Sequence, residues 1–297
     1  MSRVPAPVRT AAVLALLVLA VAGCGAGTPA VANWAGPAAG SAAPSTPDGT
    51  SPSAPGAPSA PGSAAPAPVG GPLNLKAVSG KTIVIDPGHN GGNGAHPEII
   101  NKPVPMGTGT KACDTTGTQT NSGYQEAAFT FDVANRLAAL LNAAGAKVIM
   151  TRTDNTGVGP CVDKRAAIGN DAHAAVAVSI HGDGAPPGGH GFHVMEPAKV
   201  GAPSDAIIAP SHQLALKVRD SYRAGTGIPP STYIGTNGIN TRSDMAGLNL
   251  STVPKVLVEC GNMRNAGDAT FMMSATGRQK VAEGLAAGLA AFLALPG

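Results

Sequence analysis

This 297-residue chain has little cysteine, little charge and no internal repeat. Its four cysteines are too few for a disulfide scaffold, and none stands in a C-x-x-C spacing, which argues against a thiolate zinc centre. Charged residues make up only 12% of the chain, and the formal net charge is +3. Once Arg3, Arg9 and Asp48 are set aside, basic and acidic residues nearly balance. Such a balance gives no basis for nucleic-acid binding or for electrostatic docking on lipid, so no nucleic-acid partner is expected. The apolar stretch "AAVLALLVLAVA", Ala11 to Ala22, is too short to span a bilayer.

That stretch follows Arg3 and Arg9 and has the make-up of a secretory signal. It runs into "VAGC", Val21 to Cys24, which resembles the lipobox of bacterial lipoproteins, where the signal is cut before the cysteine and the thiol receives a diacylglyceryl group. Residues 1–23 are therefore expected to be a lipoprotein-type signal peptide, with membrane attachment through lipidated Cys24. The alternative is an ordinary signal cut a few residues later. Either route exports the protein, to the outer face of the cytoplasmic membrane or to the cell wall or periplasm. Residues 24–72 are nearly all Ala, Pro, Gly and Ser, with Trp34 the only aromatic. Such a segment buries too little apolar surface to offset its ordering entropy, so a disordered tether is expected. Residues 73–297 suit one domain.

Within that domain, "KTIVIDPGHNGG" (Lys81 to Gly92) begins as a β-branched run and stops at Pro87-Gly88, leaving His89 at the end of a buried strand. A helix from about Tyr124 to Asn142 follows, with Ser122 and Gln125 as a candidate capping box. "AKVIMTR" reads as a strand, Asp163 to Asp171 as a helix, and "AAVAVSIHGD" as a third buried strand ending at His181. "GFHVM" is a fourth strand, and a helix spans "SDAIIAPSHQLALKVRDSYRAG". "PKVLVECGN" is a further central strand carrying Glu259, and "GRQKVAEGLAAGLAAFLA" is a closing helix. The expected fold is α/β: a single layered domain with a largely parallel twisted sheet and helices on both faces. In such sheets the strand C-termini and the following helix N-termini share one rim, where ligands bind. His89, Glu126, His181 and Glu259 all fall on it. Of the cysteines, Cys113 and Cys161 lie in Gly/Thr/Pro-rich loops and are the favoured pair, whereas Cys260 follows an apolar run; three pairings remain open.

Taken together, "IVIDPGHNGG", the helix-starting Glu126, "LNAAGAKVIMTR", "RAAIGNDA", "VAVSIHGD" and "VLVECGNMRN" resemble the ordered blocks of the zinc-dependent N-acetylmuramoyl-L-alanine amidases, and look most like single-domain mycobacterial members. The resemblance implies that His89, Glu126 and His181 bind Zn2+ and that Glu259 is the catalytic glutamate. Two imidazoles and a carboxylate leave a fourth tetrahedral position for water, as catalytic zinc requires. The implied reaction is hydrolysis of the amide between the muramic acid lactyl group and L-alanine of the stem peptide, in cell-wall remodelling or daughter-cell separation. Peptidoglycan or a muropeptide is the expected substrate and a monomer the expected state. Asp86 resembles a carboxylate that orients a ligand imidazole, Arg165 is expected to pair within its helix, and Asn262 and Arg264 are candidates for substrate contact. His96, His173, His190, His193 and His212 read as surface or loop histidines, with His193 closest to a strand. Residues 90–125 form a long excursion that either roofs the cleft or is a surface loop pinned by Cys113. A stem-peptide peptidase, a solute-binding lipoprotein and an inactive amidase-like domain are competing readings; the complete ligand set and a single α/β succession favour the amidase.

Overall fold

In the computed structural model the described residues are 73–296; the signal segment, Cys24 and the tether with Trp34 lie outside them. Six strands form one sheet: β1 (Thr82–Pro87), β4 (Lys147–Met150), β5 (Val176–Asp183), β6 (His193–Pro197), β7 (Ile239–Arg242) and β8 (Lys255–Asn262). Their order is β4-β1-β5-β8-β6-β7. All neighbours are parallel except β6 and β8. The exception has a local cause. The link from β5 to β6 contains no helix, so the chain turns straight back, and a parallel pairing would need a crossover.

Both faces of the sheet are covered, as the buried β-branched runs imply. Ile83 and Ile85 point to one face, where they join the main core with Phe129, Val133 and Leu137 of α2 (Glu126–Ala143). That core also holds Leu214 and Val218 of α4 (Ile208–Thr226) and Leu285 and Leu289 of α7 (Ala275–Leu293). Val84 points the other way and packs with Ala177, Val253 and Ile168, the last carried by α3 (Val162–Asp171). A third cluster, Met195, Leu248 and Leu257, sits under α5 (Ala246–Asn249).

Several local expectations are corrected. The first long helix starts at Glu126, its N-cap Gln125 makes no side-chain cap, and Ser122 Oγ turns instead to Thr120 Oγ1 at 3.0 Å. The segment before α4 opens as a 3-10 turn, Pro203–Ile207. The closing helix stands as expected, as α7, and a further helix, α6 (Ala266–Met273), precedes it; Ser274 divides the two, its side chain accepting from the Gly277 N–H. The 90–125 excursion folds into a short helix α1 (Pro97–Ile100) and a hairpin of β2 (Pro103–Pro105) and β3 (Thr110–Ala112). It is pinned by a Cys113–Cys161 disulfide, while Cys260 is free and buried. Among the described residues no helix is long and apolar enough to cross a membrane.

Candidate metal centre

Strand adjacency brings the first and third strand ends together. Pro87 of β1 is paired with Ile180 of β5, so His89 and His181 project from neighbouring termini, their rings 5.0 Å apart and nearly perpendicular. The approach requires glycine at position 88, where a Cβ would lie 2.3 Å from the His181 ring. His89 itself holds φ 58°, a left-handed conformation uncommon for a residue with a side chain. Such conformations persist where the surroundings over-determine them, as they do at many functional sites.

Glu126 is the first residue of α2, and its carboxylate is held from several directions. Oε2 accepts from the Thr118 N–H at 2.8 Å, and Oε1 accepts from the Gly182 N–H at 3.1 Å. The same Oε1 lies 3.0 Å from His181 Nδ1 and 3.3 Å from His89 Nε2. Potential ligand atoms of His89, Glu126 and His181 thus all lie within 4.8 Å of one another. Gly117 closes over them with φ +72°; a Cβ there would meet Glu126 Oε2 and His89 Cδ2, each at 2.8 Å.

The electrostatics follow from this crowding. Burial pulls the His89 pKa down, but the carboxylates of Glu126 and Asp114 outweigh it and raise it to about 10. Burial would raise Glu126, yet the two imidazoles hold it well below the ordinary carboxylate range. Glu259 behaves oppositely. Burial pushes it well above that range, and the Glu126 and Asp183 carboxylates add to the effect. Glu259 stands beside His181 in the β5–β8 register, and its Oε2 is buried with no hydrogen-bond partner among the described residues. All four side chains line a cavity of about 320 Å³, whose lining also includes Lys111, Met245 and Leu248.

The ion-pair network behind His89 differs from the sequence expectation. Asp86 does not reach His89: it lies between Arg165 Nη1 at 3.0 Å and Lys255 Nζ at 3.2 Å, which keep its carboxyl far below the ordinary range against the effect of burial. Period-two alternation explains this, because Asp86 shares its face with Val84, towards α3. Arg165 pairs with Asp86 and Asp114, not within its own helix. The carboxylate that does touch His89 is Asp114, with Oδ1 at 3.0 Å from Nδ1. Nothing in the local sequence marks Asp114 except its place beside Cys113.

Asn262 is fully buried, donating to the carbonyls of Pro186 at 3.0 Å and Gly189 at 2.8 Å, so it pins the β5–β6 link and does not face substrate. Arg264 is engaged through its backbone. His193 is not a surface residue: it is 0% exposed, stands opposite Glu259 in the β6–β8 register, and has neither ring nitrogen bonded among the described residues. Burial lowers its pKa to about 4.

A family model described as N-acetylmuramoyl-L-alanine amidase matches residues 83–291. The chain is 48% identical over 222 residues to the N-acetylmuramoyl-L-alanine amidase Rv3717 of Mycobacterium tuberculosis, covering 74% of this chain and 89% of that protein. Among solved structures it is similar to the N-acetylmuramyl-L-alanine amidase Ami1 of Mycobacterium smegmatis, with TM-score 0.68, 47% identity, and 73% and 98% of the respective chains covered. It is likewise similar to the apo form of Ami1 from Mycobacterium abscessus, with TM-score 0.69, 46% identity, and 73% and 100% covered.

Proposed function

The chain belongs to the N-acetylmuramoyl-L-alanine amidase family, and on that premise we propose that His89, Glu126 and His181 hold its zinc ion while Glu259 carries the protons of the reaction. The activity is hydrolysis of the amide between the lactyl group of muramic acid and L-alanine of the peptidoglycan stem peptide. The observation that carries the site assignment is the pairing of a converged His–Glu–His donor set with the unpartnered Glu259 Oε2 in one cavity. Two nitrogens and one carboxylate oxygen suit zinc and leave room for a reacting group.

When bound, zinc would supply Lewis acidity to a carbonyl oxygen and to a hydrolytic water. The protein's own groups do the rest. Glu259, raised in pKa by burial, is a strong proton acceptor once ionised, and its free Oε2 faces no competing donor. It takes a proton from the attacking water as the oxygen–carbon bond forms. It then returns that proton to the departing nitrogen as the carbon–nitrogen bond breaks, leaving a free L-alanine amine and a lactyl carboxylic acid, which gives up its remaining proton to solvent. The backbone N–H groups of Thr118 and Gly182 fix the Glu126 carboxylate, so that this ligand does not swing into the path of the water.

Residues 1–23 serve in this reading as a removable signal, Cys24 as the lipid attachment point, and residues 24–72 as a tether that keeps a monomeric catalytic domain, 73–297, within reach of the wall. The decisive experiment is digestion of purified peptidoglycan with zinc-loaded protein, followed by mass analysis of the new ends. Stem peptides with a free L-alanine amine support the reading. Cuts inside the stem peptide would replace it with a peptidase.

A further inference from the structure

We propose that Asp114 is a positioning residue for this centre: it decides which nitrogen of His89 faces the metal, and Arg165 and the Cys113–Cys161 cross-link hold it there. The inference rests on the reading of His89 as a zinc ligand.

Three groups surround His89 Nδ1: the Asp114 Oδ1 at 3.0 Å, the Thr115 carbonyl at 3.1 Å and, further off, the Thr115 hydroxyl at 3.3 Å. The two nearer groups can only accept and the hydroxyl is free to do so, so in the neutral ring that a metal needs Nδ1 carries the hydrogen and the other nitrogen is left with its lone pair. That nitrogen, Nε2, lies 3.3 Å from Glu126 Oε1, inside the donor set. A carboxylate behind a ligand imidazole both sets its tautomer and raises its basicity. Asp114 is held firmly for this task. Its Oδ1 also accepts from the Thr115 N–H at 2.7 Å, and its Oδ2 faces Arg165 Nη2 at 3.3 Å. Arg165 Nη2 also donates to the His89 carbonyl at 2.9 Å, so one guanidinium grips both the ligand's backbone and the carboxylate behind its ring.

The segment carrying Asp114 comes straight from a hairpin and would otherwise be a loop. The disulfide joins Cys113, its immediate neighbour, to Cys161, the N-cap of α3 and four residues before Arg165. The Val162 N–H donates to the Cys113 carbonyl at 2.8 Å, a second tie at the same point. Both sides of the Asp114–Arg165 pair are therefore fastened to one covalent link.

The test measures the zinc dissociation constant of the full-length protein by chelator competition, beside the melting temperature of the metal-free form. Asp114→Ala should weaken zinc by about 10- to 100-fold, the usual effect of losing such a partner. Asp114→Asn should lose less, since its amide oxygen still accepts from Nδ1 without the charge. The Cys113→Ser/Cys161→Ser double variant should fall between wild type and Asp114→Ala. A folded Asp114→Ala with zinc affinity within about twofold of wild type, beside a His89→Ala that loses zinc, would overturn the positioning role alone. Should Asp114→Ala not fold, Asp114→Ser, whose hydroxyl is too short to reach Nδ1, takes its place, and a folded Asp114→Ser with unchanged zinc affinity overturns it in the same way. Unchanged affinity in the double variant removes the cross-link from the proposal. If His89→Ala keeps its zinc, the metal-centre reading itself is wrong.

Discussion

The two flanks of the cavity are built on opposite rules. On the β1–α3 flank, His89, Asp114, Arg165, Asp86 and Lys255 form a continuous chain of contacts between 3.0 and 3.3 Å. On the β6–β8 flank, Glu259 Oε2 and both ring nitrogens of His193 are buried without partners among the described residues. An unsatisfied buried polar atom costs about 1–3 kcal/mol, so the second flank is the less stable arrangement on its own. A bonded flank holds groups still, and an unbonded one leaves acceptors free for a water or a substrate. The site needs both, and the sheet places them a strand apart, with Glu259 between His181 on one side and His193 on the other.

The sharpest way to break this contrast is to remove one group from each flank. His89→Ala takes an imidazole out of a three-member donor set, and zinc and activity should be lost together, as elemental analysis and release of free L-alanine amines would record. Glu259→Gln keeps the shape of the other flank but cannot accept the water proton. It should retain stoichiometric zinc while turnover falls by about 10² to 10⁴, the usual worth of general acid–base catalysis. If Glu259→Gln lost zinc as well, Glu259 would be a ligand and the division between the flanks would collapse.

The convergence of His89, Glu126, His181 and Glu259 was legible in the sequence because each closes an apolar run or opens a helix. His181 and Glu259 close β-branched or apolar runs, His89 follows the strand-ending Pro87-Gly88, and Glu126 opens an amphipathic helix. Strand order then does what spacing alone cannot, carrying Glu259 beside His181. The bonded flank was not legible in the same way. Asp86 lies three positions before His89 and invites a direct contact, but strand alternation turns it to the α3 face. Its partners Arg165 and Lys255 are 79 and 169 positions away. Asp114 sits in a loop with no periodicity, and only the fold reveals what it touches. The hairpin and β7 escaped for a related reason: they are three- and four-residue strands that lack the apolar run marking the equally short β4.

A third substitution measures how much stability the bonded flank stores. Arg165→Met leaves the buried carboxylates of Asp86 and Asp114 short of their common cation, and breaking a buried pair on one side costs about 3–5 kcal/mol. Urea denaturation of metal-free protein should show this as a lowered midpoint with little change in slope. A loss below about 1 kcal/mol would mean that Lys255 alone balances Asp86 and that the chain of contacts is not a unit.

The smallest expected effect lies on the unbonded flank and is read by pH. The folded pKa of His193 is about 4, beneath the ordinary value of 6.5, because burial disfavours the imidazolium. Between those values the unfolded chain binds a proton that the folded chain does not. The stability contributed by keeping His193 neutral is therefore fully present above pH 6.5 and lost as pH falls towards 4, at most about 3 kcal/mol. His193→Phe removes the titration and leaves no ring nitrogen unbonded. Compared with wild type in the presence of a chelator, the variant should lose less stability between pH 7 and 4.5, by about 2 kcal/mol. Carboxylates elsewhere titrate in both proteins and cancel. Equal pH dependence in the two would show that His193 is solvated or paired, and the flank that holds Glu259 would then be as fully bonded as the one that holds His89.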